Sequence, residues 1–133
     1  MGNDLIVQRF KDGESVENDP LFEQIFAPFA VVERDGFRRL DFGDGQSELY
    51  GTMFAHFHSE MRMFELLVDF LNRSRGSVAY WHDEAPCGAV GQTSDLAEMP
   101  PELVEIVDPK VVSTGKDLRD LILGVGEHFS QTA

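Results

Sequence analysis

Two Asp-Gly dipeptides, Asp35-Gly36 and Asp44-Gly45, constrain the fold of this chain more than any other feature of its sequence. Asp-Gly favours the positive φ angles of a type I′ turn, whose twist matches that of the two strands it joins. The runs that these turns separate have the composition of strands: Ala30–Arg34, Phe37–Phe42 and Ser47–Met53. We therefore predict three antiparallel strands in a β-meander.

Further strand-like runs lie outside the meander. Leu5–Phe10 ends at a turn that contains Asp12-Gly13, and Lys110–Val112 has the length of a short edge strand. Ser77–Trp81 and Cys87–Val90 flank an acidic turn and predict a second hairpin. Together these runs predict an antiparallel, meander-rich sheet of five to seven strands.

Two segments have the apolar spacing of an amphipathic helix. In the first, from Ser59 to Ser74, the apolar residues at helical spacing are Met63, Phe64, Leu67, Val68 and Leu71. The last helix repeats the pattern after a capping box of Thr114 and Asp117, at Leu118, Leu121, Ile122 and Val125. Shorter helices are predicted after Asp19-Pro20 and after Pro100-Pro101. The chain is therefore predicted to be a single α+β domain over residues 1–133, with its two main helices packed on one face of the sheet.

Chain length and composition restrict the class of protein. The chain has 133 residues, of which 42% are apolar, and this is enough to build one hydrophobic core. No apolar run approaches the roughly 20 residues of a membrane-spanning helix, and the N-terminus lacks the regions of a secretion signal. Cys87 is the only cysteine, so the fold contains no internal disulfide. We expect a cytoplasmic protein that does not contact membranes.

The charge of the chain is strongly negative. Its 24 acidic and 11 basic side chains give a formal net charge of −13. This charge repels phosphate backbones, so we expect no direct contact with nucleic acid. The second half of the chain is the more acidic, and Glu98, Glu102 and Glu105 are our candidate residues for binding a basic protein partner. The alternative is that the charge only keeps the protein soluble.

The histidines offer a candidate metal site. His56 and His58 are two residues apart at the predicted end of the third meander strand, so their side chains would point to one face. His82, with Asp83, Glu84 or Cys87, would complete a ligand set that suits zinc. The alternative is that these histidines are exposed or bonded to the backbone. No organic cofactor is predicted, because no motif for one is present.

The sequence around Cys87 allows two interpretations of this residue. A thiolate nucleophile would need a nearby base, for which His82 or His58 is the candidate. The residues around it, Pro86 and Gly88-Ala89-Val90, indicate instead the start of a strand, in which Cys87 packs as a small hydrophobic side chain. We favour the second interpretation, in which Cys87 is packed in the core.

Aromatic and methionine side chains are the remaining unusual feature. The chain has 11 phenylalanines, and Phe54, Phe57, Tyr80 and Trp81 lie close in sequence to Met53, Met61 and Met63. Such side chains at a surface mark interfaces, here a homodimer or a second protein. The alternative is that they fill the core.

These features favour an interaction protein over an enzyme. In size, charge and single cysteine the chain resembles the small bacterial inhibitor or immunity proteins that neutralise toxins. That resemblance implies a non-enzymatic role, with an acidic surface that binds a basic partner. The alternative is a small metal-dependent enzyme that uses His56, His58 and His82.

Overall fold

The computed structural model describes residues 5–17, 19–43, 45–55, 61–81 and 87–124, with side chains to residue 122. The described part is an α+β fold built on one sheet. Its strands are β1 Leu5–Lys11, β2 Glu14–Ser15, β3 Ala30–Arg34, β4 Phe37–Asp41, β5 Gln46–Tyr50, β6 Met53–Ala55, β7 Ser77–Trp81, β8 Cys87–Val90 and β9 Lys110–Val111. Its α-helices are α1 Pro20–Phe26, α2 Met61–Arg73, α3 Pro101–Val107 and α4 Gly115–Gly124, and 3₁₀ helices span Ala27–Phe29 and Thr93–Glu98.

The strand order across the sheet is β3-β4-β5-β6-β1-β7-β8-β9, and β2 pairs with the end of β1. Every pair of neighbours is antiparallel except β8 and β9, which are parallel. The predicted meander forms the β3-β4-β5 side of the sheet, and its first turn has the positive φ angles that Asp35 (45°) and Gly36 (81°) were expected to adopt.

The predicted number of strands was wrong, because the described residues form nine strands rather than five to seven. The run Ser47–Met53 is not one strand. It turns at Gly51, whose φ of +64° breaks the extended backbone, so that Tyr50 of β5 pairs with Met53 of β6. The other additional strand is β2, which folds back on β1 after the Asp12-Gly13 turn.

Helices cover both faces of the sheet. Alternate residues of β7 point to opposite faces. Ala79 and Trp81 belong to the main core, which also contains the buried sides of α1, α2 and α4. Val78 belongs to a second cluster with Phe10, Val90 and Met99, and Leu103 and Val104 of α3 pack against it. The layer of α3 and the Thr93–Glu98 helix on this second face was not predicted.

Side chains cap two of the helices as the sequence indicated. Asp19 Oδ1 accepts a hydrogen bond from Leu21 N at 3.0 Å at the start of α1. Before α4, Thr114 Oγ1 accepts from Asp117 N at 3.1 Å, and Asp117 Oδ2 accepts from Thr114 N at 3.2 Å. The predicted capping box is therefore confirmed.

None of the helices in the described ranges has both the length and the apolar character that crossing a bilayer requires.

Candidate functional site

The predicted metal ligands His56, His58 and His82 lie outside the described residues, as do Asp83 and Glu84. Within the described ranges, no three histidine, cysteine, aspartate or glutamate side chains are grouped so that they could hold a metal ion. The metal site therefore stays a prediction.

Cys87 is buried in the main core, opposite Trp81 of β7. Removal from water raises the pKa of its thiol above the usual value of 9.0, and the backbone of Gly88 and the charge of Lys110 offset only part of that effect. The interpretation of Cys87 as a packed hydrophobic side chain is confirmed.

We predict that Cys87 reacts with Ellman's reagent at pH 8 at least about tenfold more slowly in the native protein than in urea, because reaction needs an accessible thiolate. The native thiol stays protonated to a higher pH than the unfolded one, so the difference should persist as the pH rises towards 9.0. Equal rates in the two states would contradict this burial.

The three predicted partner-binding glutamates occupy different environments. Glu98 is half-buried at the end of the Thr93–Glu98 helix, where its Oε1 accepts a hydrogen bond from Asp12 N at 2.9 Å. Its backbone carbonyl accepts a second hydrogen bond from Gly13 N at 2.8 Å, so this residue holds the β1-β2 turn. Glu102 and Glu105 are exposed on α3 and form no ion pair with any described residue.

The outward side of α3 combines these carboxylates with apolar surface. Leu103, Val104 and Val107 point to the sheet, which leaves Glu102, Glu105 and Ile106 on the opposite side of the helix. Ile106 is 54% exposed, and Val111 on β9 is 53% exposed. We name Glu102, Glu105, Ile106 and Val111 the α3–β9 surface.

A cleft of about 620 Å³ lies at a gap in the sheet, and local sequence patterns gave no sign of it. β6 begins at Met53, which pairs with Ile6, and Val7 N donates to Thr52 O at 2.9 Å. Beyond Val7, β1 runs past the end of β6. The β3-β4 and β5-β6 turns form the opposite wall, where Gly51 N donates to Gly36 O at 3.2 Å. The start of α1 lines the cleft as well.

The cleft has an apolar part and a charged part. Its apolar residues include the buried Val7, Phe22 and Phe70. Its carboxylates are Glu17, Asp19, Glu23, Glu33 and Asp35, and its guanidinium groups are Arg9, Arg34 and Arg38. Five carboxylates against three guanidinium groups leave the lining with an excess of negative charge.

Arg38 joins two walls of the cleft. Its terminal nitrogens donate to both carboxylate oxygens of Glu23 at 2.6 and 3.1 Å, and its Nε lies 2.8 Å from Glu33 Oε2. The hydrogen bonds to Glu23 raise the pKa of the guanidinium above its usual value, so Arg38 stays charged. This bidentate geometry ties α1 to the β3-β4 hairpin.

Asp19 is the one lining carboxylate that is almost fully buried, with its side chain 7% exposed. Its Oδ1 caps α1 and lies 3.6 Å from the nearest nitrogen of Arg9, which is too long for a hydrogen bond. Its Oδ2 is buried and has no hydrogen-bond partner among the described residues. A buried carboxylate oxygen without a donor is costly, so this atom has an unused capacity to accept a hydrogen bond.

From the sequence, Asp19 was predicted only to precede a short helix, and neither Arg9 nor Arg38 was a candidate site residue. Arg9 and Arg38 lie in alternating strands, where a charged residue usually points to solvent. The sequence signs of this cleft were the helix start at Asp19-Pro20 and the charged end of the first strand. They form one site only because β1 and α1 lie side by side in the fold.

The aromatic and methionine residues singled out in the sequence are divided between buried and partly exposed positions. Phe54, Met63 and Trp81 are buried, whereas Met53, Met61 and Tyr80 are partly exposed and Phe57 lies outside the described residues. Phe54, Met63 and Trp81 therefore fill the core, as the alternative interpretation stated. The homodimer stays a prediction.

Comparison of the chain with protein-family models, with curated proteins and with solved structures gives no match.

Proposed function

We propose that this chain is a non-enzymatic interaction protein of the inhibitor or immunity type, which binds a basic protein partner through the α3–β9 surface. The observation that carries the proposal is that the outward side of α3 exposes Ile106 together with Glu102 and Glu105, which form no ion pair with any described residue. Val111 is exposed on β9. An exposed apolar patch that is rimmed by polar residues is typical of a partner interface.

The carboxylates and the apolar side chains would contribute in different ways. With a net charge of −13, the protein attracts a basic partner over distances of up to about 8 Å at physiological salt. Glu102 and Glu105 concentrate that attraction on one helix side, which raises the association rate more than the final affinity. Ile106 and Val111 supply apolar area to be buried in the complex, at about 25 cal/mol per Å².

In our proposal, Glu98 does not contact the partner but stabilises the structure beneath the α3–β9 surface. Its hydrogen bond to Asp12 N fixes the β1-β2 turn against the segment that leads into α3. We therefore expect the effect of its replacement on binding to follow from a change in stability, in contrast to Glu102 and Glu105.

Differential capture tests the proposal. Wild-type protein and the double variant Glu102→Gln/Glu105→Gln are immobilised and exposed to extract from the source cell at low salt. We expect wild-type protein to retain a basic protein that the variant binds at least about tenfold less, because two charge pairs at an interface contribute about 1.5 kcal/mol or more. The retained protein should dissociate as the salt concentration is raised.

A matched control separates the α3–β9 surface from net charge. Glu65→Gln/Asp120→Asn removes two exposed charges from α2 and α4, on the opposite face of the sheet, and should retain the partner as wild type does. If both double variants lost the partner to the same extent, net charge alone would explain the loss of binding. Equal retention by wild-type protein and the Glu102→Gln/Glu105→Gln variant would contradict the proposal. Unfolding is measured for each variant, because Glu102 in the first turn of α3 also stabilises the helix by about 0.3–1 kcal/mol.

A further inference from the structure

The cleft beside Asp19 combines three features that call for the same kind of ligand. It has an excess of carboxylates, a buried carboxylate oxygen with no donor among the described residues, and partly exposed apolar side chains. We propose that this cleft binds a cationic group carried on an alkyl chain, a guanidinium or ammonium, with one N–H of the cation donating to Asp19 Oδ2.

The charge of the cleft selects a cation. Arg38 is occupied by Glu23 and Glu33. Of the other lining groups, the carboxylates of Glu17 and Asp35 and the guanidinium of Arg34 form no ion pair with any described residue, so two free carboxylates face one free guanidinium. An anion would meet these free carboxylates and would leave Asp19 Oδ2 without a donor. A cation with several N–H groups satisfies that oxygen and reduces the local excess of negative charge.

The apolar residues select the remainder of the ligand. Val16 and Phe37, which line the cleft and are partly exposed, can contact methylene groups, as the stems of lysine and arginine are contacted in proteins. The volume of about 620 Å³ lies in the usual range for small-ligand sites, so the cleft has room for a whole side chain of this kind. The same chemistry is found on a partner's arginine or lysine and on a free aliphatic amine.

Arg9 is the internal competitor for this site. Its Nε donates to Arg75 O at 3.1 Å, which holds its terminal nitrogen 3.6 Å from Asp19 Oδ1. Asp19 Oδ2 is shielded from solvent, so the surroundings of this carboxylate must open for a cation to reach it. The guanidinium of Arg9, whose side chain is 34% exposed, is the neighbouring group that we expect to move aside. Removal of Arg9 should therefore strengthen binding of the ligand, while removal of the Asp19 charge should weaken it.

Titration of the isotope-labelled protein with n-butylguanidinium, followed by NMR of the backbone amides of Arg9, Leu21 and Thr52, tests the inference. The neutral isostere n-butylurea is the control ligand and needs no variant. We expect n-butylguanidinium to shift these amides and n-butylurea to bind at least about tenfold more weakly, as the loss of one charged hydrogen bond implies. Equal binding of the two ligands, or binding of neither, would overturn the inference.

Two variants give effects of opposite sign. Asp19→Asn keeps a good N-cap for α1 and removes the charge, so the affinity for n-butylguanidinium should fall about tenfold. Arg9→Gln should raise the affinity severalfold, since it removes the competing cation. Unchanged affinity in Asp19→Asn, or weaker binding in a folded Arg9→Gln, would contradict the assigned site.

The source of the cation is distinguished by a second ligand, an end-capped Gly-Arg-Gly peptide. Binding of this peptide at least as tight as that of n-butylguanidinium indicates a polypeptide side chain, and binding of n-butylguanidinium alone indicates a small amine. The inference does not rest on the α3–β9 surface, because Glu102→Gln/Glu105→Gln should leave both titrations unchanged.

Discussion

Replacing Phe26 with alanine is expected to lower the free energy of unfolding by about 3–5 kcal/mol, the largest effect we predict for a single side chain. Phe26 ends α1 and is fully buried. Its ring centre lies 4.7 Å from that of Phe22 and 5.4 Å from that of Phe54, so its removal leaves a cavity where a helix meets the sheet. The aromatic neighbours cannot close such a cavity without moving α1, which Asp19 caps.

Urea denaturation followed by circular dichroism measures the effect, with the midpoint lowered and the slope unchanged. Val31→Ala is the control, because Val31 is 59% exposed on the edge strand β3 and should change stability by less than about 0.5 kcal/mol. A loss below about 1.5 kcal/mol for Phe26→Ala would show that the contact between α1 and the sheet is not packed as described.

Gly76→Ala is expected to destabilise the protein by about 3–4 kcal/mol, from two additive causes. Gly76 has a φ of +81°, a conformation that costs alanine about 1–2 kcal/mol. An added Cβ would also clash with the backbone oxygen of Phe10 and lie 2.9 Å from Glu98 Cβ. Because Gly76 bonds to Phe10 N and to Asp95 Oδ1, the backbone cannot shift without breaking those hydrogen bonds.

Gly13→Ala separates the two causes. Gly13 has almost the same φ, +83°, but an added Cβ there has no heavy atom within 4 Å. We expect a loss of only about 1–2 kcal/mol for Gly13→Ala. Equal losses at the two glycines, measured by urea denaturation, would mean that the close approach of Gly76 to β1 does not exist.

Local sequence signals predicted most of the secondary structure. The Asp35-Gly36 turn, the apolar stripe of α2 and the capping box of Thr114 and Asp117 each depend on residues a few positions apart. These three features can therefore be predicted without knowledge of the fold.

The features that sequence reasoning missed depend on residues far apart in the chain. Glu98 bonds to Asp12 across 86 positions, and the cleft needs β1 beside α1 and two hairpin turns. The parallel pairing of β9 with β8 follows from α3 packing on the second face, which the spacing of Pro101–Val107 alone does not specify. The residues of the α3–β9 surface were partly anticipated, because Glu102 and Glu105 are readable as an acidic helix face, but Ile106 becomes notable only once its exposure is known.

Backbone hydrogen exchange of the chain, alone and in complex with the captured partner, tests the α3–β9 surface most directly. We predict slower exchange in residues 101–111 on binding, with unchanged exchange in α2 and α4 on the opposite face. Protection confined to α2 and α4, or no change in residues 101–111, would contradict an interaction protein that acts through this surface.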